Sequence, residues 1–225
     1  MKVEAGVMLF WWLVFGGIHV VLSSRRVRPT LVAGMGEWPF WGAYSIAALA
    51  TFVPLVAYFF RHKHEGLHFW SARMITHDLT VVLMAFAAAL LATGLAARPP
   101  SAVMGQASPQ VRGILRVTRH PTFAAFFVFG LAHCLVNGFL VDLIFFGGFA
   151  VFAWLGAWHQ DRRKVVEVPG YAEMKAATSF IPFAAVVRKK QPLALAEINW
   201  IAAALGFVVF YAVRAFHERW FGGVF

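Results

Sequence analysis

Long apolar runs, broken by short polar and basic stretches, divide the chain into six segments, roughly 6–24, 40–60, 74–96, 121–137, 139–158 and 195–216. Each approaches the ~20 residues that a helix needs to cross ~30 Å of hydrocarbon. The pattern predicts an all-α polytopic membrane helix bundle of about six transmembrane helices, forming one domain over residues 1–225. The fourth and fifth segments are joined only by Asn137-Gly138, a turn signal. They form either a tight antiparallel hairpin or one long broken unit, which makes the span count six or five. The 97–118 loop, with Pro99-Pro100 and Gly105, reads as irregular. In the 159–194 loop, Tyr171 to Thr178 has helical character, and Phe180-Ile181-Pro182-Phe183 is apolar enough to dip into the interface.

Composition supports the membrane reading. Hydrophobic residues make up 60% of the chain and charged ones 13%, about half the ~25% of an average soluble domain. A net charge of +10 would suggest nucleic acid in a soluble protein. Here the basic residues sit between apolar segments, so anionic lipid is the expected counter-charge and no nucleic-acid partner is expected. The single Cys134 excludes an intrachain disulfide framework. Ser23-Ser24 runs into Arg25-Arg26-Val27-Arg28 rather than a small-residue cleavage site, so the first segment is expected to be a retained helix.

With six spans, the loops after the first, third and fifth hold fourteen of the 20 Lys and Arg residues and the opposite face holds six. The positive-inside rule then places both termini on the outer face, with a bacterial inner membrane as the expected setting.

Ionisable groups within spans are costly and mark function by default. His19, His133 and the pair His77-Asp78 are the candidates, with Asp142 close to the Asn137-Gly138 turn. Measured from Pro29, His19 lies ten residues inside the first helix, ~15 Å; measured from Pro121, His133 lies twelve residues inside the fourth, ~18 Å. On this ruler the two imidazoles sit at one depth, where they serve either as interhelical hydrogen-bonding groups or as the two axial ligands of a haem iron. His62, His64 and His68 form a boundary cluster that reads as a solvated rim or, less simply, as a metal site. His159 and His217 read as interfacial, and the tryptophans as an aromatic belt. Arg119-His120-Pro121 opens the fourth helix, and Asp161-Arg162-Arg163 closes the fifth on the same face. Arg119 and Asp161 form a salt bridge, or Arg119, His120, Arg162 and Arg163 share an anion site.

Gly113-Ile-Leu-Arg-Val-Thr-Arg-His-Pro121, followed by Leu131-Ala-His-Cys-Leu-Val-Asn-Gly138, resembles the signature of the NnrU family. The likeness runs on through Gly17-Ile-His19, Tyr58-Phe59, His62, Glu65-Gly66, Trp70, His77, Trp158 and Thr178-Ser179-Phe-Ile-Pro182-Phe-Ala-Ala185. The family includes the 15-cis-zeta-carotene isomerases. Their resemblance implies haem b, axial ligands at His19 and His133, and redox-dependent cis–trans isomerisation of a polyene. Two departures stand out: the isomerases carry a cysteine where this chain has Gly130, and a histidine pair where it has Phe152-Ala153. The stretch Asn137-Gly138 with Phe146-Gly147-Gly148 resembles the bacterial NnrU branch, which implies a denitrification-associated accessory role.

Two other function classes remain open. Arg119-His120-Pro121, Asp161-Arg162 and Gly170-Tyr171 through Pro182 also resemble membrane methyltransferases that use S-adenosylmethionine. A non-enzymatic haem sensor or assembly factor would use the same two histidines. No residue is singled out as catalytic, and the oligomeric state is left open.

Overall fold

The structure, a computed structural model, describes residues 2–99 and 109–222; Pro100 and Gly105 of the expected irregular loop lie outside them. In chain order the elements are α1 (Lys2–Leu22), α2 (Val27–Met35), α3 (Glu37–His62), β1 (His68–Ser71), α4 (Met74–Ala97) and α5 (Ile114–Val117). They continue with α6 (Pro121–Val136), β2 (Asn137–Phe139), α7 (Leu140–Glu167), α8 (Tyr171–Ala177), α9 (Ala184–Val187) and α10 (Trp200–Phe221), the last preceded by a 3-10 turn at Leu195–Glu197. Among the described residues, α1, α3, α4, α7 and α10 are long and apolar enough to cross a membrane. The sixth rod, α6, has 16 residues, ~24 Å of helix. The chain is therefore an all-α membrane helix bundle.

The sequence pattern placed these rods correctly, but their ends differ. The first helix stops at Leu22, and Pro29 belongs to α2, where a proline in the first turn removes no helical hydrogen bond. Helix α7 runs on to Glu167, because the polar residues of its last turns find partners there. The Asn137-Gly138 link is a hairpin, as one reading had it. It also forms a strand: β2 pairs antiparallel with β1, with His68 opposite Phe139. That pairing joins two loops ~70 residues apart, which no local pattern signals.

Neighbouring rods follow the lateral order α3, α1, α7, α6, α4, α10. Close approach is set by small residues. At Gly130 a Cβ would stand 2.9 Å from the Ala150 amide nitrogen, so glycine lets α6 lie against the α7 backbone, and the Trp12 indole of α1 covers Gly148 of α7 in the same way. One apolar core joins Met8, Trp12 and Phe15 of α1 to Leu55 and Phe59 of α3 and to Val141, Phe145 and Phe146 of α7. Phe59 and Phe145 stack at 3.9 Å within it. A second core sets Leu90, Ala124 and Ala125 against the loop elements through Ile114, Leu115, Tyr171 and Met174. The outward faces keep large apolar side chains exposed, Ile201, Leu205 and Val208 among them, as a bilayer solvent permits.

Contacts at the helix ends sort the rods into two layers. His159 of α7 meets the Ser23 carbonyl after α1, and His120 before α6 meets Asp161 of α7. At the other end the Asp142 carboxylate of α7 binds His64 after α3, and Lys63 caps the carbonyls of Phe221 and Gly222 at the close of α10. The first and last described helices thus begin and finish at the same end of the bundle, opposite the arginine-rich end.

Candidate functional site

Gly17 of α1, where a Cβ would meet nothing within 4 Å, and Gly147 of α7 border an open space between these helices, whereas Gly148 and Gly156 are covered by Trp12 and Phe123. The result is a half-open cleft of about 680 Å³, lined from α1 by Trp12, Leu13, Gly16, Gly17, His19 and Val20, and from α7 by Gly147, Gly148, Val151, Phe152, Leu155 and Gly156. Tyr44 of α3 and Phe123 of α6 contribute at its edges. Leu13 is 67% and Val151 60% exposed, so the cleft opens sideways, onto the face a lipid would cover. Its volume is that of a small-molecule site, ~300–1,000 Å³.

His19 is the titratable group that α1 places in this wall. Its Nδ1–H donates to the Phe15 carbonyl at 2.8 Å, and its ring packs edge-on against Tyr44 and Phe152, each with centroids 5.2 Å away. The backbone bond fixes the tautomer that leaves Nε2 with its lone pair, the form in which an imidazole ligates a metal or accepts a proton. His133 is built the same way, donating Nδ1–H to the Phe129 carbonyl at 3.0 Å. Its surroundings are different. It is 7% exposed, stacks on Phe146 at 4.5 Å and does not line the cleft.

The structure does not bring the two histidines together, and the depth match read from the prolines is corrected. Because Pro29 belongs to another helix, it does not measure depth in α1; His19 lies in the last turn of α1 and His133 in the last turn of α6. Those two turns point to opposite ends of the bundle. Phe152 and Phe146, on which they rest, are six residues and ~9 Å apart along α7 and about 120° apart around it. As a test of haem, the donor set fits by half: His19 turns its Nε2 lone pair to a largely apolar cleft, whereas His133 faces a different side of α7.

The arginine candidates also separate. Arg119 is a structural group: its Nε donates to both Asp161 oxygens at 3.1 and 3.0 Å and its Nη2 to Oδ2 at 2.6 Å, while Nη1 reaches the Thr178 carbonyl. His120, 1% exposed, and Tyr171 each bind Asp161 Oδ1 at 2.8 Å. Burial pushes the His120 imidazole below its ordinary value and the Tyr171 phenol above its own. The salt-bridge reading of Arg119 and Asp161 is the observed one. Arg162 turns outward and lies 4.8 Å over the Trp158 ring. Arg163 alone of this set lines the cleft, at its polar end with Ser23, His159 and Gln160.

Of the boundary residues, His62 binds Glu65, His64 binds Asp142, and His68 stacks on Phe139. They do not converge, and no group of three or more His, Cys, Asp or Glu suited to a metal ion occurs among the described residues. The sequence reading missed the cleft itself. Its signal was present in the glycines Gly16-Gly17, Gly147-Gly148 and Gly156, read only as family markers or not read at all.

The fold and this lateral cleft define the class: a polytopic membrane helix bundle with a largely apolar cleft open to the lipid. The chain belongs to the NnrU family, whose model, described as NnrU protein, matches residues 7–224. It is 27% identical over 197 residues to a protein from Zea mays named 15-cis-zeta-carotene isomerase, chloroplastic, covering 83% of this chain and 52% of that one. The protein of the same name from Arabidopsis thaliana is 27% identical over 192 residues, with the same coverage. The chain thus spans about half the length of these relatives. No solved structure matches it.

Proposed function

We propose that this chain is a membrane isomerase-type protein that draws a long, unsaturated hydrocarbon from the bilayer into the α1–α7 cleft, where cis–trans rotation about a double bond takes place. The observation that carries this reading is the cleft: apolar, slot-shaped between two helices, open to lipid, with one imidazole set in its wall. The isomerases it resembles name a substrate of this kind, 15-cis-zeta-carotene. A C40 polyene has no hydrogen-bonding groups, so recognition rests on shape and apolar contact, which Trp12, Phe152, Leu155 and Val20 supply.

Haem b, which the resemblance implies, fits here through His19 as the protein ligand rather than through His19 and His133 together. Bound there, it would supply a redox-active iron at the cleft wall. The residues of the chain do the rest. The Phe15 carbonyl fixes the His19 ring orientation, the Tyr44 and Phe152 rings hold it laterally, and the apolar walls exclude water.

Proteoliposomes containing the purified chain, with haem supplied during expression, should convert 15-cis-zeta-carotene to its 15-trans isomer. Chromatography under reducing and oxidising conditions reads the conversion. No conversion under either condition, with substrate shown to be in the bilayer, refutes the isomerase reading.

A further inference from the structure

The cleft is not apolar throughout. Towards the arginine-rich end its wall changes over one turn of α7 to His159, Gln160 and Arg163, facing Ser23. Arg163 is 8% exposed and yet poorly partnered. Its Nη1 lies 3.4 Å from the Ser23 carbonyl, at the limit of a hydrogen bond. Its Nε stands 3.4 Å from a Glu167 oxygen in an ion pair without hydrogen-bond geometry. Lys164, 3% exposed, is held still more loosely by the same carboxylate, at 3.8 Å. Arg28 contributes a third positive field at this point, and its own ion pair with Glu37 spans 3.7 Å.

Three cations, two of them nine-tenths buried, therefore share Glu167 and the distant Glu37, and none is closed into a charge-assisted hydrogen bond with a carboxylate. Buried charges are ordinarily paired and saturated. A few residues away the same chain does close such a pair, Arg119 donating three hydrogen bonds to Asp161. A carboxylate or phosphate at the end of the cleft would accept from Arg163 Nε and Nη and complete the set.

From this geometry we infer that the polar end of the cleft is an oxyanion site, which takes the carboxylate or phosphate of an amphiphile in addition to the hydrocarbon held by the apolar part, with Arg163 as the principal partner. The inference rests on the reading of the cleft as a ligand site and adds the head group that a bare hydrocarbon lacks. Two sources carry this chemistry: the phosphate of a membrane lipid and the propionates of a haem.

The experiment compares matched pairs on the purified full-length chain by native mass spectrometry and thermal shift. Dioleoyl phosphatidic acid is set against dioleoylglycerol, and haem b against its dimethyl ester; within each pair only the anion differs. The acidic member should bind ~10–100-fold more tightly, the range expected for hydrogen bonds to a charged group. A preference confined to the lipid pair identifies a lipid phosphate, and one confined to the haem pair identifies propionates. Arg163→Gln should abolish the preference, Arg163→Lys should keep part of it, and Arg188→Gln, on the exposed Arg188-Lys189-Lys190 run, should leave it intact. If Arg163→Gln fails to fold, Arg163→Lys and the wild-type pairs decide. Equal binding of acidic and neutral members, or a preference that survives in Arg163→Gln, overturns the oxyanion site while leaving the cleft standing. If none of the four compounds binds, the oxyanion site falls, and the conversion assay with 15-cis-zeta-carotene decides separately on the cleft.

Discussion

His19 and His133 rest on two different faces of α7, the first against Phe152 and the second against Phe146. This relationship separates two roles that the sequence gives to the pair jointly. His19 presents Nε2 to the cleft. His133 is a packed ring whose nearest neighbours are phenylalanines.

The two substitutions should therefore behave differently in a haem-loaded preparation. His19→Ala should abolish or shift the Soret band of the purified protein. His133→Ala should leave the band in place and instead lower the melting temperature, since it removes a buried ring from between α6 and α7; large-to-small core changes of this kind cost ~2–5 kcal/mol. Visible absorption on both variants checks this, and loss of the band in His133→Ala alone would contradict the assignment.

Asp161 joins Arg119, His120 and Tyr171 and so ties the start of α6 to α7 and to the start of α8. Asp161→Asn keeps the shape but leaves the half-buried Arg119 without its carboxylate. Breaking one partner of a buried pair costs ~3–5 kcal/mol, a loss readable as lower thermal stability in detergent. Removing both charges, in Asp161→Asn with Arg119→Met, should recover part of it.

At the surface, Glu197 accepts from Arg116 Nε and Nη2 at 2.8 and 2.9 Å and from the Gly113 amide at 2.8 Å. The Arg116 bonds, then that of Gly113, hold its carboxyl down at about 2, from an ordinary 4.5. A carboxylate with a depressed folded value stabilises fully above its unfolded value and loses that contribution as pH falls through the folded one. The tether should persist at pH 5 and release progressively from about pH 4.5 towards pH 2. Hydrogen exchange of the Gly113 and Arg116 amides reads this, and Glu197→Gln should exchange fast at every pH.

Gly130 marks the position of the isomerases' cysteine. Here a Cβ would press on the Phe146 carbonyl and the Ala150 amide. Gly130→Cys should destabilise by ~1–3 kcal/mol through overpacking, detectable as a lower melting temperature, and should confer no new ligand on His19. Ala153, at one of the positions of the isomerases' histidine pair, is fully buried and has no room for an imidazole either.

Much of the fold was legible in the sequence because the bilayer imposes a simple rule: six apolar runs became six rods. The helix ends were not, since Leu22 and the extension of α7 to Glu167 are decided by tertiary partners, Ser23 with His159 and Asp161 with Arg119 and His120. The β1–β2 pairing was hidden for the same reason. At the site, His19 was legible from its cost in a span. Its relation to His133 was not, because residue counting gives distance along a helix but not which face or which neighbour. Arg163 stood undistinguished among Arg119 and Arg162 until packing buried it in the cleft wall. The methyltransferase-like Arg119-His120-Pro121 motif is closed on Asp161.

The central claim is that the α1–α7 cleft holds the substrate, and Gly17 offers the most direct test. It lines the cleft, and a Cβ built there meets nothing within 4 Å, so Gly17→Leu extends a side chain into the space and replaces glycine by a better helix former. Conversion of 15-cis-zeta-carotene in proteoliposomes should fall at least tenfold in Gly17→Leu while its melting temperature equals or exceeds that of the wild type. Undiminished conversion by a folded Gly17→Leu protein would show that the substrate lies elsewhere.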